Sequence, residues 1–189
     1  MATLRLYPTG DLFYPDSWSP TLWHSSDNTF YNHVDEVTLS EADFIVVSNA
    51  NSGGSEPREF TWGNHGSETG PISEIILYAQ VEVAAFGSGS AVALNATLPH
   101  LGHEVSLLDY TTSMASTLLH VHAATNPHTG VAWTWADIDA MWSGLYFYQS
   151  GGDGKDYSLV IVYQMYIDVV YSPYLAFQHY YRMFNNGDI

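Results

Sequence analysis

Cysteine is absent from the chain. That removes disulfides, thiolate metal sites and cysteine nucleophiles at once. A chain of this size folds without disulfides, so the redox compartment stays open. Basic residues are almost absent too: Arg5, Arg58, Lys155 and Arg182 stand against 20 acids, for a net charge of -16. The imbalance owes as much to missing Lys and Arg as to excess acid, because only 13% of residues are charged. Such a surface repels phosphate backbones and anionic lipid, so neither nucleic acid nor membrane is expected as a partner. No apolar run reaches the roughly 18 residues of a membrane-spanning helix. Met1–Tyr7 has no basic leader and enters a strand-like pattern at once, so classical signal-peptide secretion is not expected. An assembly protein made in the cytoplasm and released by lysis fits this, as does an ordinary cytosolic protein.

Catalytic signatures are missing as well. There is no Gly-x-Ser-x-Gly elbow, no His-Glu-x-x-His and no phosphate loop ending in Gly-Lys-Ser/Thr. Paired carboxylates for glycoside hydrolysis need a fixed separation across a cleft, and among 20 acids some pair always looks suitable. The chain is therefore read as a non-enzyme, with no catalytic or cofactor-binding residues assigned. A glycan-active enzyme is the third and weakest reading.

What is present is strand pattern. In Ser73–Phe86, Ile75, Leu77, Ala79, Val81, Val83 and Ala85 alternate with a more polar set. In Tyr157–Tyr171, Leu159, Ile161, Tyr163, Met165, Ile167 and Val169 alternate with Ser158, Val160, Val162, Gln164, Tyr166 and Asp168. Period two over such lengths, rich in β-branched and aromatic residues, predicts strands with one face on a core. Ile75, Leu77, Val81, Val83, Leu159, Ile161, Tyr163 and Ile167 are expected to share that core. Shorter candidates are Thr3–Tyr7, Phe30–Val34, Phe44–Ser48, Glu59–Trp62, Ala91–Leu98, Val105–Tyr110, Thr117–His122 and Leu145–Gln149. Between them stand turn sequences, including Asn51-Ser52-Gly53-Gly54, Gly63-Asn64-His65-Gly66, Gly87-Ser88-Gly89 and Gly151-Gly152-Asp153-Gly154. One short helix is predicted over Trp135–Trp142, with Thr134 as its cap and Asp137 and Asp139 near its start. The fold class is all-β: an antiparallel two-sheet sandwich, jelly-roll-like, with one short inserted helix.

The sandwich is assigned to residues 1–172 and an aromatic C-terminal tail to 173–189. Pro173 ends the last strand. Beyond it Tyr174, Phe177, Tyr181 and Phe184 fall at three-and-four spacing, which lines them along one side of a short helix. A strand reading alternates less well, with Arg182 and Phe184 on one face. This many large apolar side chains must dock somewhere, on the chain's own sheet or on a neighbouring subunit. These four residues are the candidate interface.

The series Asp11, Trp18-Ser19, Trp23, Val34-Asp35-Glu36 and Asp43-Phe44-Ile45 resembles the opening of a group of small proteins. They are uncharacterised β-sandwich structural proteins of tailed phages, prophages and environmental viruses. Asn126-Pro127-His128-Thr129-Gly130-Val131-Ala132-Trp133-Thr134, then Ile138, Met141 and Gly144, resembles their second half. Gln164, Tyr166, Val169 and Tyr171 match its closing strand. The resemblance spans Leu4 to Tyr171 through scattered positions. It implies a jelly-roll or carbohydrate-module-like sandwich and a virion structural role, and it brings no catalytic residues. The tail from Tyr174 onward lies outside the pattern.

Three constellations invite a ligand. His120 and His122 sit two apart, which places both rings on one face of a strand, and His100 and His103 lie in a Gly-Pro turn region. A zinc site would need further ligands from elsewhere, so no metal residue is assigned. Asp35, Glu36, Glu41 and Asp43 form one acidic cluster, and Asp153 with Asp156 lies in a Gly-rich turn. Oxygen ligands from flexible loops are what a structural calcium takes, but neither stretch has the spacing of a known calcium loop. Trp18, Trp23, Trp62, Trp133, Trp135 and Trp142 could stack on sugars or simply pack. The leading expectation is a homo-oligomeric decoration, fibre or capsid-surface protein of a virion or extracellular assembly, partnered by itself and other assembly proteins. The alternative is a carbohydrate-binding module attaching a particle or cell to glycans.

Overall fold

The computed structural model describes residues 1–12, 23–24, 31–35, 38, 44–49, 53–54, 58–86, 91–99, 103–150 and 157–174. Strands dominate them: β1 Ala2–Leu6, β2 Pro8–Leu12, β3 Trp23–His24, β4 Ile45–Asn49, β5 Gly53–Gly54 and β6 Arg58–Trp62. There follow β7 Ile72–Phe86, β8 Ala91–Thr97, β9 Glu104–Thr111, β10 Ser113–Ala123, β11 Trp142–Ser150 and β12 Tyr157–Tyr171. The α-helix α1 spans Trp135–Asp139, and a 3-10 turn spans Tyr31–His33.

The strands make two antiparallel sheets. The first runs β10-β7-β12-β4-β3, with β1 sharing the β4 side of β12; the second runs β2-β6-β11-β8-β9, with β5 beside β11. Taking β4 and then β6 to β12 in chain order, the sheets read sixth-third-eighth-first and second-seventh-fourth-fifth. That order is the double Greek key of a jelly roll. Every connection among these eight crosses between sheets except the β8–β9 hairpin, which is why the core draws on residues far apart in sequence.

The two facing surfaces bury Phe60, Trp62, Leu94, Leu98, Leu145 and Phe147 from one sheet against Ile75, Leu77, Val81, Met165 and Ile167 from the other. On β7 the alternation holds as read, with Ile75, Leu77, Ala79, Val81 and Val83 all inside. On β12 it holds only from Met165 onward. A bulge between Val162 and Gln164 leaves Tyr163 as an extra residue opposite β7, and an extra residue inverts the facing of everything before it. Val160 and Val162 therefore fill the core, whereas Leu159 and Ile161 are only partly buried. Tyr163 is buried as expected but apart from the cluster between the sheets: its hydroxyl donates to Glu82 at 2.8 Å, and its ring meets Phe44 edge-on.

Other expectations change as well. Of the strand expected over Phe30–Val34, Phe30 lies outside the described residues and the remainder is no strand: Tyr31–His33 forms a 3-10 turn, closed by Val34 N donating to Tyr31 O. The helix stops at Asp139, because Trp142 opens β11 opposite Thr61 of β6. Gly53–Gly54, read as part of a turn, pairs with Tyr148 and Gln149. The cap is as expected: Thr134 accepts from Asp137 N, and the Asp137 side chain accepts from Thr134 N, a reciprocal capping box. Ile138, Met141 and Trp133 seal that end of the sandwich, with Trp133 Nε1 donating to Ala123 O.

Gly144 shows why β11 and β6 fit. A Cβ there would lie 1.8 Å from Arg58 O, so no other residue lets the two backbones come this close.

The bulge gives a sharp test. Val162→Ala should cost about 2 kcal/mol from lost burial and the cavity left behind. Ile161→Ala should cost less although it removes more atoms. Urea denaturation of both variants checks the order, and the reverse order would restore unbroken alternation.

Candidate functional site

Three regions away from the inter-sheet core follow from this framework, each fixed by register. The first is the outer face of the β7 sheet. Arg5 faces Asp168, Asp168 faces Ile76, and Ile76 faces His122, one row across four strands. The next row is Tyr166, Tyr78 and His120. The two tyrosine rings stack with centroids 4.6 Å apart, and His120 lies 5.6 Å from Tyr78. Arg5 grips Asp168 through Nε and Nη2 at 2.7 and 2.8 Å, while its guanidinium carbon sits 3.8 Å over the Tyr166 ring. This bidentate, cation-π-backed pair adds a side-chain tie to the backbone ladder that joins the short β1 to β12.

His120 and His122 do share a face, with ring centroids 5.2 Å apart, and His122 Nδ1 lies 2.8 Å from Glu74. His103 Nε2 meets His128 Nδ1 at 2.8 Å. Among the described residues no three His, Asp or Glu converge as a metal site would require. His100, Glu36, Glu41, Asp43, Asp153 and Asp156 lie outside those residues.

The second region is the outer face of the other sheet. Tyr146 and Tyr148 alternate to the same side of β11, ring centroids 4.5 Å apart. Glu104 accepts from the Tyr148 hydroxyl at 2.6 Å and from Asn95 Nδ2 at 3.0 Å. Burial, and then the carboxylate it donates to, push the Tyr148 phenol well above its usual range. Tyr110, 57% exposed, lies alongside. None of these residues stood out in the sequence, although the Tyr-x-Tyr spacing of Tyr146 and Tyr148 was the signal available.

Of the six tryptophans, Trp62 and Trp133 are buried and Trp135 is half-buried, with Nε1 donating to Gly70 O at 2.8 Å. Trp142 is 45% exposed. Trp18, and the side chain of Trp23, lie outside the described residues.

The third region is the end of β12. Ser172 N donates to Pro71 O at 3.0 Å, and Gly70, at φ +120°, is so close that a Cβ would fall 2.0 Å from Ser172 O. Beneath it Trp135 meets Tyr171 edge-on and stacks on His65. The Tyr171 hydroxyl donates to Glu68, which raises that phenol's pKa. His65 Nδ1 lies 2.7 Å from Asp139 Oδ1, and that contact holds the Asp139 carboxyl below its usual value. Two residues past this clamp, Tyr174 is 70% exposed. Phe177, Tyr181 and Phe184, the rest of the expected interface, lie outside the described residues.

The chain matches no protein-family model and none of the curated proteins.

A depressed carboxylate stabilises the fold above its ordinary pKa of about 3.9 and loses that contribution as pH falls through the lower folded value. Asp139→Asn should therefore flatten the acid limb of the stability curve below about pH 4 and leave its shape near neutrality unchanged. Thermal unfolding from pH 2 to 7 checks this, and an unchanged acid limb would show that the His65 contact contributes nothing.

Proposed function

We propose that this chain is a non-enzymatic structural component of a virion or extracellular assembly, working by homo-oligomeric packing of a jelly-roll unit against itself and against other assembly proteins. The observation that carries the reading is the exit of the chain from β12. The strand end is locked by Ser172 on Pro71 and by the close approach of Gly70, yet Tyr174 stands in solvent immediately beyond. The sequence that follows repeats large apolar side chains at Phe177, Tyr181 and Phe184. Each is worth about 1.5–3 kcal/mol when fully buried, and exposed on a polar, acidic particle such a stripe would be an aggregation liability. Docking on a neighbour satisfies it. The acidic balance supports the same reading in a second way, since it keeps free subunits soluble.

Truncation after Ser172 tests the proposal. The shortened chain should fold with an unchanged Tm and lose the part of its assembly that the tail holds together, read by light scattering as a smaller mass. Unchanged assembly would contradict the role of the tail, and loss of folding would mean that the tail docks on its own domain.

A carbohydrate-binding module is the second reading, favoured by the Tyr146–Tyr148 pair beside Glu104 and Asn95. Half-exposed rings beside hydrogen-bonding side chains are what a pyranose needs. On this reading a glycan array shows binding that Tyr146→Ala abolishes; no binding to any glycan excludes it.

A further inference from the structure

A sheet edge offers a row of backbone N–H and C=O groups to any passing strand, and soluble proteins guard such edges with charge, proline, bulges or brevity. Most edges here are guarded. β2 carries Pro8 and Asp11 and is irregular between Pro8 and Gly10. β9 carries Glu104 and Asp109 and has two irregularities against β8. β1 has five residues including Arg5, and β3 has two. Among the described strands, β10 is the exception. It is eleven residues long, lies at the end of its sheet, and its one irregularity is confined to Met114–Thr117. From Thr117 to Ala123 it runs in unbroken register with β7, with no acid, lysine, arginine or proline. Ser116, Thr117, Leu118, His120 and His122 on it are all exposed.

Charge isolates the same strand. Between Asp109 and Asp137 the chain contains no Asp, Glu, Lys or Arg. In a protein of net charge -16, this stretch is where two copies can meet with the least like-charge repulsion. A partner of another kind, basic and complementary to the acidic surface, would instead be drawn to the acid-bearing edges β2 and β9.

We propose that β10 pairs with β10 of a second copy of this chain, antiparallel across a two-fold axis within Thr117–Ala123, joining the two β7 sheets into one continuous sheet. The inference rests on the assembly reading above and deepens it by naming a contact. Two-fold pairing is self-complementary, so a single strand supplies both halves of the interface. Leu119 and Val121 point into the sandwich, and the exposed Leu118 lies beside His120 and His122 on the outer face, where the partner's copies would cover it.

Sedimentation of the full chain over a concentration series tests the contact with two charge-matched variants. Leu118→Glu with His120→Glu puts acids on β10; Thr9→Glu with Ser106→Glu adds the same charge on the other edges. The β10 pair should weaken self-association at least about tenfold, because like charges would face each other across the new ladder. The control pair should stay within about twofold. Hydrogen exchange on the unmodified chain gives an independent reading: amides of Thr117–Ala123 should exchange more slowly in the oligomer than in the dilute monomer. An oligomer indifferent to the β10 pair, with exchange there unchanged by concentration, overturns this inference and leaves the assembly reading standing. A chain that stays monomeric at every concentration overturns both.

Discussion

The pairing of β12 with β7 is the constraint on which the remaining structure is built. The two longest strands lie side by side from Tyr157 opposite Phe86 to Tyr171 opposite Ile72. They contribute Ile75, Leu77, Ala79, Val81, Val83, Val160, Val162, Met165, Ile167 and Val169 to one wall of the core. Among the described strands, β10 joins the sheet through β7, β1 joins it through β12, and β4, which carries β3 on its far side, is tied to the rest through β12. The aromatic row on the outer face also follows from this register, since Tyr166 meets Tyr78 only when Ile167 meets Leu77. Loss of the register would therefore remove core, edges and outer face together.

How far the sequence discloses this depends on whether a feature is local. β7 is legible because its period of two runs unbroken. β12 shows the same period but conceals a bulge: Tyr163 is as β-favourable as its neighbours, so nothing in composition marks it as the supernumerary residue that exchanges Leu159 and Ile161 for Val160 and Val162. β2 is hidden because Pro8 and Gly10 read as turn residues, and they are tolerated only because β2 lies at an edge, where a missing donor costs little. The helix is legible through Thr134 and Asp137, but not its end, because the pairing of Trp142 with Thr61 is set by a strand some eighty residues earlier.

The candidate surfaces divide in the same way. The shared face of His120 and His122 is a two-residue relation and was readable. The Glu104, Asn95 and Tyr148 constellation draws on three strands and was not. The charge-free stretch between Asp109 and Asp137 is visible in the bare sequence, but its meaning depends on β10 lying at an edge, which is a property of the whole topology. The tail is the converse case: Phe177, Tyr181 and Phe184 speak through spacing alone, and Tyr174 shows where their segment departs.

Self-association of a strongly acidic jelly roll through uncharged and aromatic contacts is the central claim, and its opponent is mutual repulsion. At a net charge of -16 that repulsion is long-ranged at low ionic strength and largely screened beyond about 10 Å at 0.1 M salt. Contacts made of backbone hydrogen bonds and apolar side chains are not weakened by the same screening. Solution mass by light scattering, measured from low to moderate salt at fixed protein concentration, weighs the two directly. The account predicts that mass rises from monomer toward a defined oligomer as salt is added. An oligomer that dissociates as salt rises would show that attractive ion pairs hold it together, and a monomer throughout would show that it does not assemble by itself.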